Sequence, residues 1–375
     1  MWKQKIIASL SRHANNWRGK NLKRKVVVIE SDDWGSICMP SRSVYQSLLK
    51  KGFNVDRCPY ATFDAPASEE DLEILFSLLK DYHDSKGSNP VITANTVMTN
   101  PDFEKIEESE FESYAYEPFT KTLERYPDHE NAFKKWEKGV DEGVFYPQFH
   151  GREHLNVAEW MGQLRFPASS YRKVFKDNVC WLGPDYKTGN GIDMRATYDT
   201  NDYADIEYQK VNLTEGLKLF RELFGFSCES FIAPNYIYHS DLNRTLLNEG
   251  VKIIQGMKYQ KLPKLGRQNH GMVRHTQGEK NEWEQTYLVR NCSFEPSQYP
   301  TTYDNVGECL KGIENAFLWK RPAIISAHRL NFIGHIHPGN REKNLSQLRE
   351  LLSQIVKRWP DVEFMNSVEM GKLMV

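Results

Sequence analysis

Lys25-Val-Val-Val-Ile29-Glu-Ser-Asp32-Asp33-Trp34-Gly35-Ser36 is the stretch on which the fold turns. Val26 to Ile29 form a short continuous apolar run rich in β-branched residues, the pattern of a strand buried on both faces. The run then breaks into two adjacent carboxylates, Asp32 and Asp33, and a Trp-Gly turn. Buried charge is costly unless it is paired or coordinates a metal. In α/β folds the carboxyl ends of parallel strands form the ligand face. An alternative is a turn in which the two aspartates cap local N–H groups.

Outward from this stretch, short apolar runs alternate with amphipathic segments. Strands are expected at 90–98, 144–150, 230–234, 252–256, 286–293, 322–328 and 362–365. Helices are expected at 39–51, 69–83, 118–137, 157–164, 213–224, 242–249, 306–319 and 345–359. Seven or eight buried strands alternating with helices predict an α/β fold, a distorted (β/α)7-8 barrel or a doubly wound sheet. Residues 25–375 read as a single domain after a basic leader at 1–24, with an inserted loop region at about 167–210 over the ligand face. No Gly-rich phosphate loop follows any strand, which argues against a nucleotide site.

Composition narrows the partners. Forty-nine Lys and Arg against fifty Asp and Glu leave a net charge of −1, so no global field attracts nucleic acid. Nine Trp, eighteen Tyr and nineteen Phe argue for a folded chain with an aromatic-lined surface, despite a mean hydropathy of −0.64. The six cysteines are scattered with no C-x-x-C pair, the usage of free thiols in a reducing compartment. No apolar run approaches the roughly 18 residues that span a bilayer, and no secretory signal is legible, so a cytoplasmic location is expected. Residues 1–24 carry several Lys and Arg and no acid, with Trp2, Ile6, Leu10 and Trp17 near helical spacing. Two readings are open: a helix packed on the bottom of the barrel, or an amphipathic helix in peripheral contact with the inner membrane face.

Three strand ends carry candidate chemistry. His150 and His154 stand four apart after the third strand; on a helical turn two such imidazoles face the same way and grip one metal, the alternative being coincidence. Asp33 is the candidate third ligand. A set of two histidines and one aspartate leaves positions open for water and substrate, the catalytic kind of site. Ala323-Ile-Ile-Ser-Ala-His328 closes another apolar strand on a histidine, which is a site residue or a core histidine.

These motifs together resemble the polysaccharide deacetylases with a NodB-like fold. Ser31-Asp32-Asp33-Trp34-Gly35 resembles their Thr-Phe-Asp-Asp-Gly motif, His150 and His154 match their His-x-x-x-His pair, and Ser326-Ala327-His328 is similar to their Leu-x-His strand end. The resemblance covers roughly 25–335. It implies Asp32 as general base, His328 as general acid, and Asp33, His150 and His154 on a divalent metal, usually zinc, with cobalt or nickel as options. It implies removal of an N- or O-acetyl group from a carbohydrate, in surface polysaccharide metabolism, with a lipid-linked substrate an option that suits the basic leader. The Arg-x-Pro-Tyr motif is changed: Phe231-Ile-Ala-Pro234-Asn-Tyr236 keeps Pro and an aromatic but lacks the Arg that contacts the base. Arg290 or Arg152 is a candidate replacement. Glu295 is expected to be a surface carboxylate, with orientation of His328 as the alternative. Trp34, Tyr236 and Tyr238 are candidates to stack on a sugar, and Asn95 to bond a hydroxyl. His335 and His337 suggest a loop over the face, or a second metal site. Two other classes stay open: a catalytically silent carbohydrate-binding relative, or a glycosidase or phosphoesterase.

Overall fold

The computed structural model describes residues 10–374. Nine parallel strands form the main sheet: β1 (Lys25–Trp34), β2 (Ile92–Thr96), β3 (Phe145–Phe149), β4 (Ser230–Phe231), β5 (Ile253–Gly256), β6 (Thr286–Val289), β7 (Cys292–Ser293), β8 (Ala323–His328) and β9 (Val362–Phe364). Eight of them run in the order β6-β5-β4-β3-β2-β1-β8-β7, and β9 pairs with the first three residues of β1. The two strands at the ends of this path, β6 and β7, are joined by only Arg290 and Asn291. Laid flat, eight strands would be roughly 30 Å wide, whereas three Cα steps reach at most about 11 Å. The sheet therefore curls round on itself. At the seam the Arg290 N–H donates to Gly256 O of β5 (2.9 Å) and the Asn291 N–H donates to Ile324 O of β8 (3.2 Å). The single strand expected at 286–293 is thus two strands, cut where the chain changes sides.

Strand alternation sorts the interior into layers. Val26, Val28, Ile253, Leu288 and Ile324 form an apolar floor, plugged by Val368 and Met370 of the last helix (Ser367–Leu373). Above it Glu30, Gln148, Ser230, Gln255 and Arg290 make a buried polar layer, and Asp32, His150 and His328 stand above that at the strand ends. The outward-facing residues Val27, Ile29, Ala323 and Ile325 belong to the main core, against the surrounding helices.

The helix Glu69–Lys80 shows how a shell element forms. Ser68 and Asp71 make a capping box, three acids sit in the first turn, and Leu72, Leu75, Phe76 and Leu79 face the core. Burying each of these apolar side chains stabilises by about 1.5–3 kcal/mol. The helix expected at 118–137 is two, Phe119–Glu124 and Ala132–Asp141. The one expected from 213 begins at Asp205, and residues 259–284, between the strands expected at 252–256 and 286–293, contain an antiparallel ribbon, Tyr259–Lys261 with Met272–Arg274. All six cysteines are free and buried.

Of the basic leader, residues 1–9 lie outside the described residues. Residues 10–16 are helical and pack on the helix Asn305–Leu318, through Arg12 to Glu308 (2.9 Å), Asn16 to Asn315 (2.9 Å) and the Trp319 indole to His13 (2.9 Å). No helix among the described residues is long and apolar enough to cross a membrane.

Candidate active site

The site begins with an irregularity in β1. Glu30 and Asp32 point inward by alternation, while Ser31 points outward and accepts a hydrogen bond from Trp34 Nε1 (2.8 Å). Asp33 would follow Ser31 outward. Instead its φ is +73°, and the register to β2 shifts between Ser31 and Trp34. This bulge carries both adjacent carboxylates into the interior and returns Trp34 to the outer face. Gly35 completes the turn at φ +81°, where a Cβ would meet Val97 O at 2.3 Å. Trp34 is therefore no stacking surface for a sugar. It is fully buried, edge-on to Phe145 (ring centroids 4.9 Å) and Trp136 (5.9 Å).

One face of Asp33 meets the two histidines. Asp33 Oδ1 lies 3.5 Å from His150 Nε2 and 3.2 Å from His154 Nε2, and the three ligand atoms all lie within 4.8 Å of one another. The pair does not sit on a helical turn, as the spacing suggested. His150 extends β3, its N–H donating to Thr96 O, and the loop then turns at Gly151 (φ +105°) before a helix starts at Val157. His150 Nδ1 faces Ile232 O at 2.9 Å; a carbonyl only accepts, so Nδ1 carries the hydrogen and donates, and Nε2 is the ring nitrogen turned toward Asp33. Burial, with Arg195 nearby, pushes His154 down to about 4, so its imidazole is neutral. Burial opposes ionisation of Asp33, but the Arg195 guanidinium holds its carboxyl well below the usual range. Asp33 is buried, and neither of its oxygens makes an aligned hydrogen bond among the described residues. Two imidazoles and one carboxylate oxygen are a donor set that suits zinc, cobalt or nickel, so the residues present fit a divalent cation.

Asp32 is held from the other side. Arg290, the residue at the barrel seam, donates from Nη1 to Asp32 Oδ2 and from Nη2 to Oδ1, both 2.6 Å, and from Nε to Glu30 Oε2 (2.6 Å). Its fork thus contacts the carboxylate that the Arg-x-Pro-Tyr motif lacks an arginine for. Burial disfavours the Asp32 anion, yet Arg290 outweighs it and holds the carboxyl well below its ordinary range. Asn95 donates to Asp32 Oδ1 (2.7 Å); it is fully buried and steadies this carboxylate rather than meeting a substrate hydroxyl. His328 Nε2 faces Asp32 Oδ2 at 3.7 Å, and His328 Nδ1 bonds Glu295 Oε1 at 2.6 Å. Glu295 is no surface carboxylate: it is buried, and its other oxygen accepts from Asn331 (2.7 Å). Burial works against a charged His328, but Glu295, then Asp32, outweighs it and pushes the imidazole up to about 9.

These groups open onto a cavity of ≈ 560 Å³, whose walls include Tyr60, Trp181, Arg195, Tyr236, Lys261 and Tyr299. Of the expected stacking residues Tyr236 lines it, whereas Tyr238 is buried against Phe231 (ring centroids 5.9 Å). Arg152 points away into a buried cluster, bonded to Glu153 (2.6 Å), Glu215 and Tyr208. It neither contacts Asp32 nor lines the cavity, because the loop that presents the histidines turns Arg152 and Glu153 outward. His335 packs on His129 (ring centroids 4.5 Å) and His337 lies edge-on to Tyr45 and Phe63, both away from this cavity. Arg195, on the inserted segment, was not anticipated: its Nη2 lies 2.8 Å from Asp33 Oδ2. Only the length and aromatic content of that segment hinted that it reaches the site.

No family model matches the chain, and no curated protein matches it. Among solved structures the chain is similar to a probable polysaccharide deacetylase from Pseudomonas aeruginosa PAO1, at 10% identity over 93% of this chain and 91% of that one, TM-score 0.43. It is similar to an allantoinase at 12% identity over 96% of this chain and 92% of that one, TM-score 0.42. It is also similar to a 4-alpha-glucanotransferase from Thermococcus litoralis, at 9% identity over 92% of this chain, TM-score 0.46; there the chain spans 40% of the other protein's length.

Proposed function

We propose that this chain is a metal-dependent hydrolase that removes an acetyl group, as an amide or ester, from a carbohydrate. The observation that carries this reading is the pair of inward carboxylates at the β1 bulge. Asp33 faces two imidazoles that suit a divalent ion, and Asp32 faces His328. Asp33, His150 and His154 would hold the ion, which when bound polarises an acyl oxygen and acidifies water.

The chain's own residues account for the proton movements. Asp32, kept ionised by Arg290, is the acceptor for the proton of the attacking water as the new C–O bond forms. His328, kept protonated through Glu295, donates from Nε2 to the departing nitrogen or oxygen as the acyl bond breaks. The products are acetate and a free amine or hydroxyl on the sugar. Tyr60, Tyr236 and Tyr299 supply apolar faces and hydroxyls for a sugar ring.

The test is acetate release from acetylated hexosamines and acetylated glycans, with and without chelator. Release that stops on chelation, returns with zinc, cobalt or nickel, and falls about 100-fold or more in His328→Gln supports the reading. Release of phosphate or reducing sugar instead of acetate would replace it.

A further inference from the structure

Arg195 is a buried charged group of the cavity whose one ion-pair partner among the described residues is Asp33, a candidate metal ligand. It is nine-tenths buried and enters from the inserted segment, with its guanidinium carbon 5.2 Å from the Tyr60 ring centroid and 5.2 Å from that of Trp181. Nη2 lies 2.8 Å from Asp33 Oδ2, but the approach is not aligned as a hydrogen bond, and Nη2 has no hydrogen-bond partner among the described residues. The other buried charges around it are matched: Asp32 by Arg290, Glu295 by His328, Asp64 by Arg329. Asp33 alone serves both the histidine side, through Oδ1, and Arg195, through Oδ2. On the rim Asp193 and Lys261 are opposite in sign. A divalent ion beside Asp33 therefore leaves this end of the cavity with an excess of positive charge.

We propose that Arg195 is a carboxylate-binding residue of this cavity. The ligand chemistry is a planar pair of oxygens, which the guanidinium fork matches through two parallel N–H bonds. Two sources supply it: a carboxylate carried by the sugar itself, making the substrate an acidic sugar, or the acid released by hydrolysis. The inference rests on the proposed function for its setting, and its test reads equilibrium binding rather than turnover.

Calorimetric titration of the full chain, zinc-loaded and metal-free, with glucuronate, acetate and neutral N-acetylglucosamine compares wild type with Arg195→Met and Arg195→Lys. At least one carboxylate should bind the zinc-loaded wild type about tenfold or more tightly than Arg195→Met, with Arg195→Lys between, while the neutral sugar is unchanged. Selectivity for glucuronate assigns an acidic substrate; selectivity for acetate assigns the released acid. Equal carboxylate affinity in wild type and either variant overturns the proposal. So does loss of zinc from a folded Arg195→Met, which would make Arg195 a positioning residue for Asp33. If Arg195→Met does not fold, Arg195→Lys decides. If the wild type binds no divalent ion but still binds a carboxylate through Arg195, the proposed function falls and this inference stands.

Discussion

Arg290 is fully buried, and its donors are shared between Glu30 and Asp32, two carboxylates from the same strand. Removing one partner from a buried ion cluster leaves uncompensated charge, at about 3–5 kcal/mol. Arg290→Met should lose stability of that order in urea unfolding at pH 7; a loss under about 1 kcal/mol would show that the cluster is not held as described. His328 makes a pH prediction. Folding raises its pKa from near 6.5 to about 9, so the folded chain holds that proton more tightly. The stabilisation is complete below pH 6.5 and disappears as pH rises through about 9. Replacing Glu295 by Gln removes the largest cause of that rise. The stability gap between wild type and Glu295→Gln should therefore be on the order of 1–3 kcal/mol at pH 6 and shrink by pH 9.5. A gap that widens with pH contradicts the assignment. At this scale the sequence marked Asp32, Asp33, His150, His154 and His328 by residue type and strand-end position. It favoured a surface carboxylate for Glu295 and left its pairing with His328 as the alternative, because nothing local to Glu295 shows what faces it.

The strand β1 combines a legible part with an illegible one. Its apolar run is written in Val26 to Ile29, and its acidic end in the next four residues. The bulge is not, since strict alternation would have placed Asp33 outside and Trp34 inside. With Trp34 on the outer face, Trp34→Phe should keep substrate KM within about twofold and lose about 1–2 kcal/mol from the missing Nε1–Ser31 hydrogen bond and the smaller ring. A KM raised tenfold at unchanged stability would return Trp34 to the cavity. The seam at Arg290-Asn291 escaped in the same way. The apolar residues of Thr286–Ser293 resume at Cys292 after Arg290-Asn291, while the change of strand partner is a property of the curled sheet.

For the whole molecule, the alternation of apolar runs with amphipathic segments was sufficient for the α/β class, with barrel and doubly wound sheet both open, and the strand ends were sufficient to single out Asp33, His150 and His154. What sequence order concealed was convergence over distance. Arg195 arrives from a segment with weak periodicity, and its meeting with Asp33 depends on how that segment folds across the barrel mouth. The polar interior follows from the same curling of the sheet: Gln148, Ser230 and Gln255 each lie on a different short strand, and their inward direction is set by register. The account stands or falls on whether Asp33, His150 and His154 act together. The direct measurement is zinc bound per chain and its affinity, for wild type beside Asp33→Ala and His154→Ala, with circular dichroism as the control for folding. About one ion per wild-type chain, with affinity reduced about 100-fold or more in both folded variants, is the result expected. No ion bound by the wild type at millimolar zinc, or equal binding by the variants, would contradict it.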